Sequence, residues 1–424
     1  MHKKDSMTRR DFLGKTATVA AGVSAFALAS PRALGANERI RVGMLGPGGR
    51  GRYLMDRVNQ IDNVEFVAVA DIFEGWKNLG LEIARRKNPR AKGYDLLERM
   101  LEDKDVDAVV AATPEHTHVD HIINTIKSGR DIYCEKPMNH TWEEGIRVIE
   151  ANKKAKRIIQ IGTQRRSVDL YYQARELVQS GAIGRITAVR GRWHRNSKDN
   201  DPQWRYAIPP DASEKNINWP VFLGKAPKVP FSLNRYFQWR CYWDYSNGPA
   251  GDLMVHQLDA INLVMGGQMP KSAMGLGDIY RFHELGRTTP DTWSSILEYP
   301  GGSPWAPDGY LVQYSCVFSN QQDQYGEIFY GTDGTIDMND RVLRLIPEPE
   351  GVAMKKVEAK EFQTQVPDHG KAHLENFFDC CRTRKQPNCD EYQGHYAASA
   401  AHMAVLCHFS GERTLWDDKK QRVE

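Results

Sequence analysis

In the first part of the chain, apolar residues gather in short runs separated by amphipathic stretches. Runs at 40–45, 64–70, 108–112, 131–134 and 158–161 are four to seven residues long and rich in Ile, Val, Leu and Ala. Such runs suit strands covered on both faces. Between them, 52–59, 119–128 and 141–155 carry the spacing of helices. Alternating strand and helix predicts an α/β doubly wound parallel sheet. Beyond residue 163 the pattern changes. Runs at 186–193, 293–299, 310–318 and 326–330 read as strands, and Gly331-Thr332-Asp333-Gly334-Thr335 supplies a hairpin-like turn. Closing helices are predicted at 371–384 and 392–412. The expected organisation is a leader, 1–36, then domains at 37–162 and 163–424. A length of 424 residues fits that count at about 100 to 200 residues per domain.

Charge separates the leader from the rest. Residues 1–36 hold six of the 57 Lys and Arg but two of the 54 Asp and Glu, leaving 51 bases against 52 acids elsewhere. The body of the chain is near neutral, which excludes an electrostatic footprint for nucleic acid or an anionic membrane and points to a small-molecule partner. Arg9 and Arg10, followed by Phe12, Leu13 and an uncharged stretch at 16–31, resemble a twin-arginine export signal. That stretch is too short and too weakly apolar for a permanent membrane span, so the expected location is the periplasm. Seven cysteines without paired CxxC spacing argue against a disulfide framework or a zinc site.

The run at 40–45 leads into Gly46-Pro47-Gly48-Gly49-Arg50-Gly51, a G-x-G-x-x-G placed between a strand and a helix. Gly46 permits a tight turn, Gly48 lets backbone approach a pyrophosphate, and Gly51 lets helix pack on strand, while amides at the helix start bind phosphate. Asp71 ends the second strand twenty residues on, where an acid would bind ribose hydroxyls. This favours NAD over NADP, with Arg50 and Lys77 left as possible partners for a 2'-phosphate. Ligands of such a sheet lie at the strand carboxyl ends. That singles out Thr113, Pro114, His116 and His118 after one strand, Glu135 and Lys136 after the next, and Gln164 and Arg165 after the last. No carboxylate or thiol cluster joins the two histidines, so they read as loop residues beside the cofactor, not as a metal site.

Glu135-Lys136-Pro137, the glycine fingerprint, and Gly248-Pro249-Ala250-Gly251-Asp252-Leu253-Met254-Val255-His256 together resemble the Gfo/Idh/MocA family of glucose-fructose oxidoreductases and inositol dehydrogenases. Family-like strings also occur at 112–118, 162–167, 239–245 and 373–377. The resemblance implies a Rossmann domain followed by an α+β domain with an open, mostly antiparallel sheet. It implies sugar or cyclitol substrates, and a homo-oligomer, dimer or tetramer, contacting through that sheet. It also assigns Lys136, Asp252 and His256 to catalysis.

The chemistry agrees with that assignment. Oxidising a secondary alcohol needs a base and a cation near one oxygen. His256 is the natural proton acceptor, and Asp252, four residues earlier on a helix, can orient it or bind a hydroxyl. Lys136 stabilises developing alkoxide charge. Five of the ten tryptophans fall at 193–243 among arginines. Of these Trp193 and Trp243, with Asp244, Arg165, Asp252 and His256, are the expected substrate contacts. Export implies NAD carried out tightly bound and recycled. Two rival readings remain, a redox-neutral glycosidase or epimerase using bound NAD through a transient keto sugar, and a non-catalytic binding protein.

Overall fold

The computed structural model describes residues 39–283 and 286–424. The leader, with its twin-arginine motif, lies outside the described residues. The first sheet has strands β1 (Ile40–Leu45), β2 (Val64–Ala70), β3 (Lys92–Tyr94), β4 (Ala108–Ala111), β5 (Asp131–Cys134) and β6 (Ile159–Ile161). Their order is β3-β2-β1-β4-β5-β6, and every pairing is parallel. The order reverses between β1 and β4, which opens a crevice at their carboxyl ends. Buried apolar side chains line both faces of this sheet, the physical reason its strands read as continuous apolar runs.

The connecting helices are α1 (Gly49–Val58), α2 (Glu74–Arg85), α3 (Leu97–Glu102), α4 (His118–Lys127) and α5 (Trp142–Ala155). The first starts three residues earlier than the apolar spacing predicts, so Gly49, Arg50 and Gly51 form its first turn. Thr141 and Glu144 start α5 with a reciprocal capping box. The apolar pattern missed α2, α3 and the three-residue β3.

After α6 (Asp169–Gln179) comes β7 (Ile186–His194) of the second sheet, then the short helices α7 (Trp219–Leu223) and α8 (Leu233–Phe237). One π-turn at Ala250–Met254 opens α9 (Val255–Met265). Strands β8 (Ser272–Asp278), β9 (Thr292–Tyr299), β10 (Tyr310–Val317), β11 (Tyr325–Gly331), β12 (Gly334–Met338), β13 (Val342–Pro347) and β14 (Lys360–Gln363) follow. Helices α10 (His369–Thr383) and α11 (Glu391–Ser410) and strands β15 (Thr414–Asp417) and β16 (Arg422–Val423) close the chain. The sheet order is β14-β13-β12-β11-β7-β10-β9-β8-β15-β16. Only β7 and β10 pair in parallel, so the sheet is mixed and mostly antiparallel.

One face of this sheet packs under α9 and α11 around Trp293, Leu297, Val312 and Phe329. Helix α10 returns to the first sheet, where Leu374, Phe377 and Phe378 join Ile40, Val42 and Phe66. That return makes the two sheets one packed body.

Candidate active site

A cleft of about 810 Å³ runs from the glycine turn to α9. Gly46, Gly48, Gly49, Arg50, Asp71, Thr113, Pro114, Glu135, Lys136 and Gln164 line it, together with Trp193, Asp252 and His256. Gly46 has φ +79, which L side chains rarely adopt, and an added Cβ would meet the Ala112 carbonyl oxygen at 2.8 Å. Gly51 does not line the cleft. A Cβ there would meet the Gly46 carbonyl oxygen at 2.2 Å, so this glycine sets how closely α1 approaches the turn. Nothing lies within 4 Å of a Cβ built on Gly49. A Cβ on Gly48 would meet the Trp76 ring at 3.3 Å, so the backbone is open at Gly49, at a helix start, the form a pyrophosphate needs.

Asp71 stands at the end of β2 and accepts from the Phe73 amide at 2.8 Å. Burial raises its pKa to about 7 against that bond and a long one from the Tyr236 hydroxyl. The two cations expected to serve a 2'-phosphate are engaged elsewhere: Arg50 pairs with Glu135 at 2.8 Å, and Lys77 pairs with Asp95. Gln164, in the orientation its neighbours dictate, donates to the Gly162 carbonyl at 2.7 Å and accepts from Arg50 at 3.3 Å. These residues fit a nicotinamide dinucleotide: a glycine turn for the phosphates, a buried acid for ribose, and an ion pair along the wall.

At the far end, Lys136 leaves β5 ahead of a cis peptide bond to Pro137. Its Nζ donates to Asp252 Oδ1 at 2.8 Å and to the Asp252 carbonyl at 2.6 Å. Arg240 Nε donates to the same Oδ1 at 2.8 Å. Burial works against ionisation of Asp252, but the charges and hydrogen bonds of Lys136 and Arg240 hold its carboxyl well below the ordinary range. Asp252 therefore does not orient His256 by a hydrogen bond, as the helical spacing had suggested. Its oxygen is taken by two cations.

His256 lies on the first turn of α9 and makes no hydrogen bond among the described residues. Its Nδ1 is buried and its ring faces Trp193 at 5.6 Å. Burial pushes its pKa well below the ordinary value, helped by Lys136 and Arg165, with Asp252 pulling the other way. Burial thus favours the neutral imidazole.

Other expected contacts lie off the cleft. Neither His116, half-buried, nor His118, buried, lines it; His116 Nε2 pairs with the Phe222 carbonyl at 2.7 Å, and His118 bridges the Pro137 and Thr113 carbonyls at 2.7 and 2.8 Å. Burial lowers the pKa of both, and their role is to brace the loop. Arg165 is buried under Trp193 and pairs with Glu327 at 2.7 Å. Trp243 packs on Trp293, His408 and Phe409, away from the cleft. Asp244 pairs with Arg235 at 2.6 Å. All five sit in turns or at a helix start, where adjacency in sequence to a site residue does not fix the side a side chain faces.

Sequence reasoning counted Arg195 and Arg240 among the arginines near the tryptophans that can read hydroxyls, but it gave neither a partner and assigned no role to Glu115 or Tyr206. Glu115 is buried beside Gly251, accepts from the Asn247 amide at 2.9 Å, and burial raises its pKa to about 7. Arg240 lay within a quoted motif, but its spacing to Asp252 carries no helical or strand signal. Among the described residues, no group of three His, Cys, Asp or Glu is placed to hold a metal ion.

Residues 40–163 match the model of an oxidoreductase family, NAD-binding Rossmann fold, and residues 224–414 match that of its C-terminal alpha/beta domain. The inositol 2-dehydrogenase of Salmonella typhimurium is 33% identical over 160 residues, 37% of this chain and 47% of the relative. The myo-inositol 2-dehydrogenase of Thermotoga maritima is 29% identical over 265 residues, 62% of this chain and 66% of the relative. The chain thus spans about half the length of the first of these relatives and just under two thirds of the second. Levoglucosan dehydrogenase in complex with NADH and levoglucosan superposes with a TM-score of 0.67 at 15% identity, covering 89% of this chain and 99% of that one. Aldose-aldose oxidoreductase from Caulobacter crescentus gives 0.67 at 18%, covering 89% and 100%. At such identities these two likenesses show the fold alone.

Proposed function

The chain belongs to the Gfo/Idh/MocA oxidoreductase family, and from that premise we propose that it is an NAD-dependent oxidoreductase acting on a secondary hydroxyl of a sugar, glycoside or cyclitol. The observation that carries the reading is the Lys136 ammonium held on ionised Asp252, in the same cleft as the glycine turn and Asp71. Bound NAD would supply the hydride acceptor, its pyrophosphate on the amides at the start of α1 and its ribose on Asp71. Engagement of Arg50 and Lys77 with Glu135 and Asp95 favours NAD over NADP.

Lys136 would donate to the reacting oxygen and stabilise negative charge as it develops there. Asp252, kept ionised by two cations, fixes the ammonium and takes no proton itself. The neutral, unengaged ring of His256 is the proton acceptor the cleft offers. The twin-arginine motif supports a periplasmic location, where a tightly bound and recycled NAD would remove dependence on a free pool.

The test is a panel of sugars, glycosides and cyclitols offered to the NAD-loaded protein, followed at the nicotinamide absorbance. At least one should reduce the bound nucleotide. Lys136→Met should slow that reduction by about 10²- to 10³-fold while nucleotide binding persists. Unimpaired reduction in the variant, or none with any compound, would overturn the proposal.

A further inference from the structure

Five Lys and Arg side chains line the cleft, and four are accounted for. Arg50 pairs with Glu135, and Lys136 and Arg240 share Asp252. Arg52 donates to the Pro47 carbonyl at the glycine turn. The fifth, Arg195, has no ion-pair partner among the described residues.

Its place is at the reacting end. The Arg195 amide donates to the Val317 carbonyl at 2.8 Å, extending the β7 to β10 ladder by one residue. Its guanidinium stands 5.1 Å from the ring centre of Trp193, the ring that also faces His256. Tyr206 joins this group: Arg240 reaches its hydroxyl at 3.4 Å. Burial raises the Tyr206 pKa, and both Arg240 and Arg195 oppose that rise, so the two arginines address one phenol. Lys136 and Arg240 therefore share one carboxylate, Asp252, and Arg195 lines the same cleft with no ion-pair partner among the described residues. Glu115 lies outside the cleft lining and pairs with none of these cations, and burial pushes its carboxyl toward the neutral form.

A surplus cation in a partly dried cleft is costly unless something pairs with it. A guanidinium laid against an indole keeps its edge donors for a planar, two-oxygen acceptor. Building on the oxidoreductase reading, we propose that the substrate is a sugar acid whose carboxylate is received by Arg195 while a ring hydroxyl lies at Lys136 and His256. A single carboxylate suits the one cleft guanidinium that has no ion pair or carbonyl acceptor among the described residues; Arg240 is already committed to Asp252.

The test is calorimetric binding to the full-length, NAD-loaded protein, with glucuronate, glucose and glucose 6-phosphate as probes. Charged hydrogen bonds of this kind correspond to about tenfold to hundredfold in affinity, so glucuronate should bind tighter than glucose by that factor. Arg195→Gln should collapse the preference toward parity, and Arg195→Lys should keep part of it, with thermal midpoints confirming that both fold. No preference for glucuronate, tighter binding of glucose 6-phosphate, or equal weakening of acid and neutral sugar in Arg195→Gln would overturn the proposal. Binding is read without turnover, so a protein that selects glucuronate yet reduces no nucleotide would sink the oxidoreductase reading alone.

Discussion

Asp71 is pulled two ways, since burial favours its neutral form while ribose hydroxyls that donate to it favour the ionised one. With the pKa raised to about 7, its proton leaves within the working range. The stability contribution of a raised carboxyl is present at low pH and lost as pH rises through the folded value. Glu115 and Glu327, both raised to about 7 by burial, act in the same direction. These three groups therefore favour the fold as pH falls from 7 toward 5. Cofactor affinity should run the opposite way, constant above pH 7 and falling by up to tenfold per unit below it. Asp71→Asn should bind more weakly and without that slope. Titrating nucleotide affinity from pH 5.5 to 8.5 checks this; a flat wild-type profile would contradict it. Residue identity at strand ends was readable, because the glycine turn, Asp71, Glu135 and Lys136 follow local strands. The partners of Asp252 were not, because Arg240 reaches it through a loop with no periodic signal.

The strands of the first sheet were legible since both faces are buried and their runs are uninterrupted. In the second sheet β8 contains two glycines, and β14 is short and largely exposed, so neither leaves a clear apolar period. The outer face of that sheet carries exposed Met274, Leu276, Ile296, Leu311, Tyr330, Ile346 and Leu415. Met274 and Ile296 are cross-strand partners, so these two apolar side chains adjoin on that face. We propose that a second copy of the chain covers it, in keeping with the oligomer contact that the family resemblance implies. Leu276→Lys combined with Ile296→Lys should halve the mass measured by light scattering and leave nucleotide binding in place. A wild-type monomer at tens of micromolar would refute the interface.

At the scale of the whole molecule, α10 folds back on the first sheet and Asp252 and His256 arrive from α9 and its π-turn. The cleft exists only when both sheets have packed. A protein exported with its cofactor inside must complete this packing first, which is what the twin-arginine reading requires. Arg9→Lys with Arg10→Lys should move the protein from the periplasmic to the cytoplasmic fraction on cell fractionation. Unchanged periplasmic recovery would remove that reading.

Read alone, the amino-acid order specified the alternation of strand and helix, the phosphate-type turn and the acid that follows it, and the family motifs. Those features depend on local backbone constraints and short-range periodicity. Packing decided the rest: which neighbours of a motif face the cleft, that two cations share Asp252, that burial favours the neutral form of His256, and that Arg195 has no ion-pair partner among the described residues. These depend on burial and on charges brought together across long stretches of chain, which no local spacing encodes.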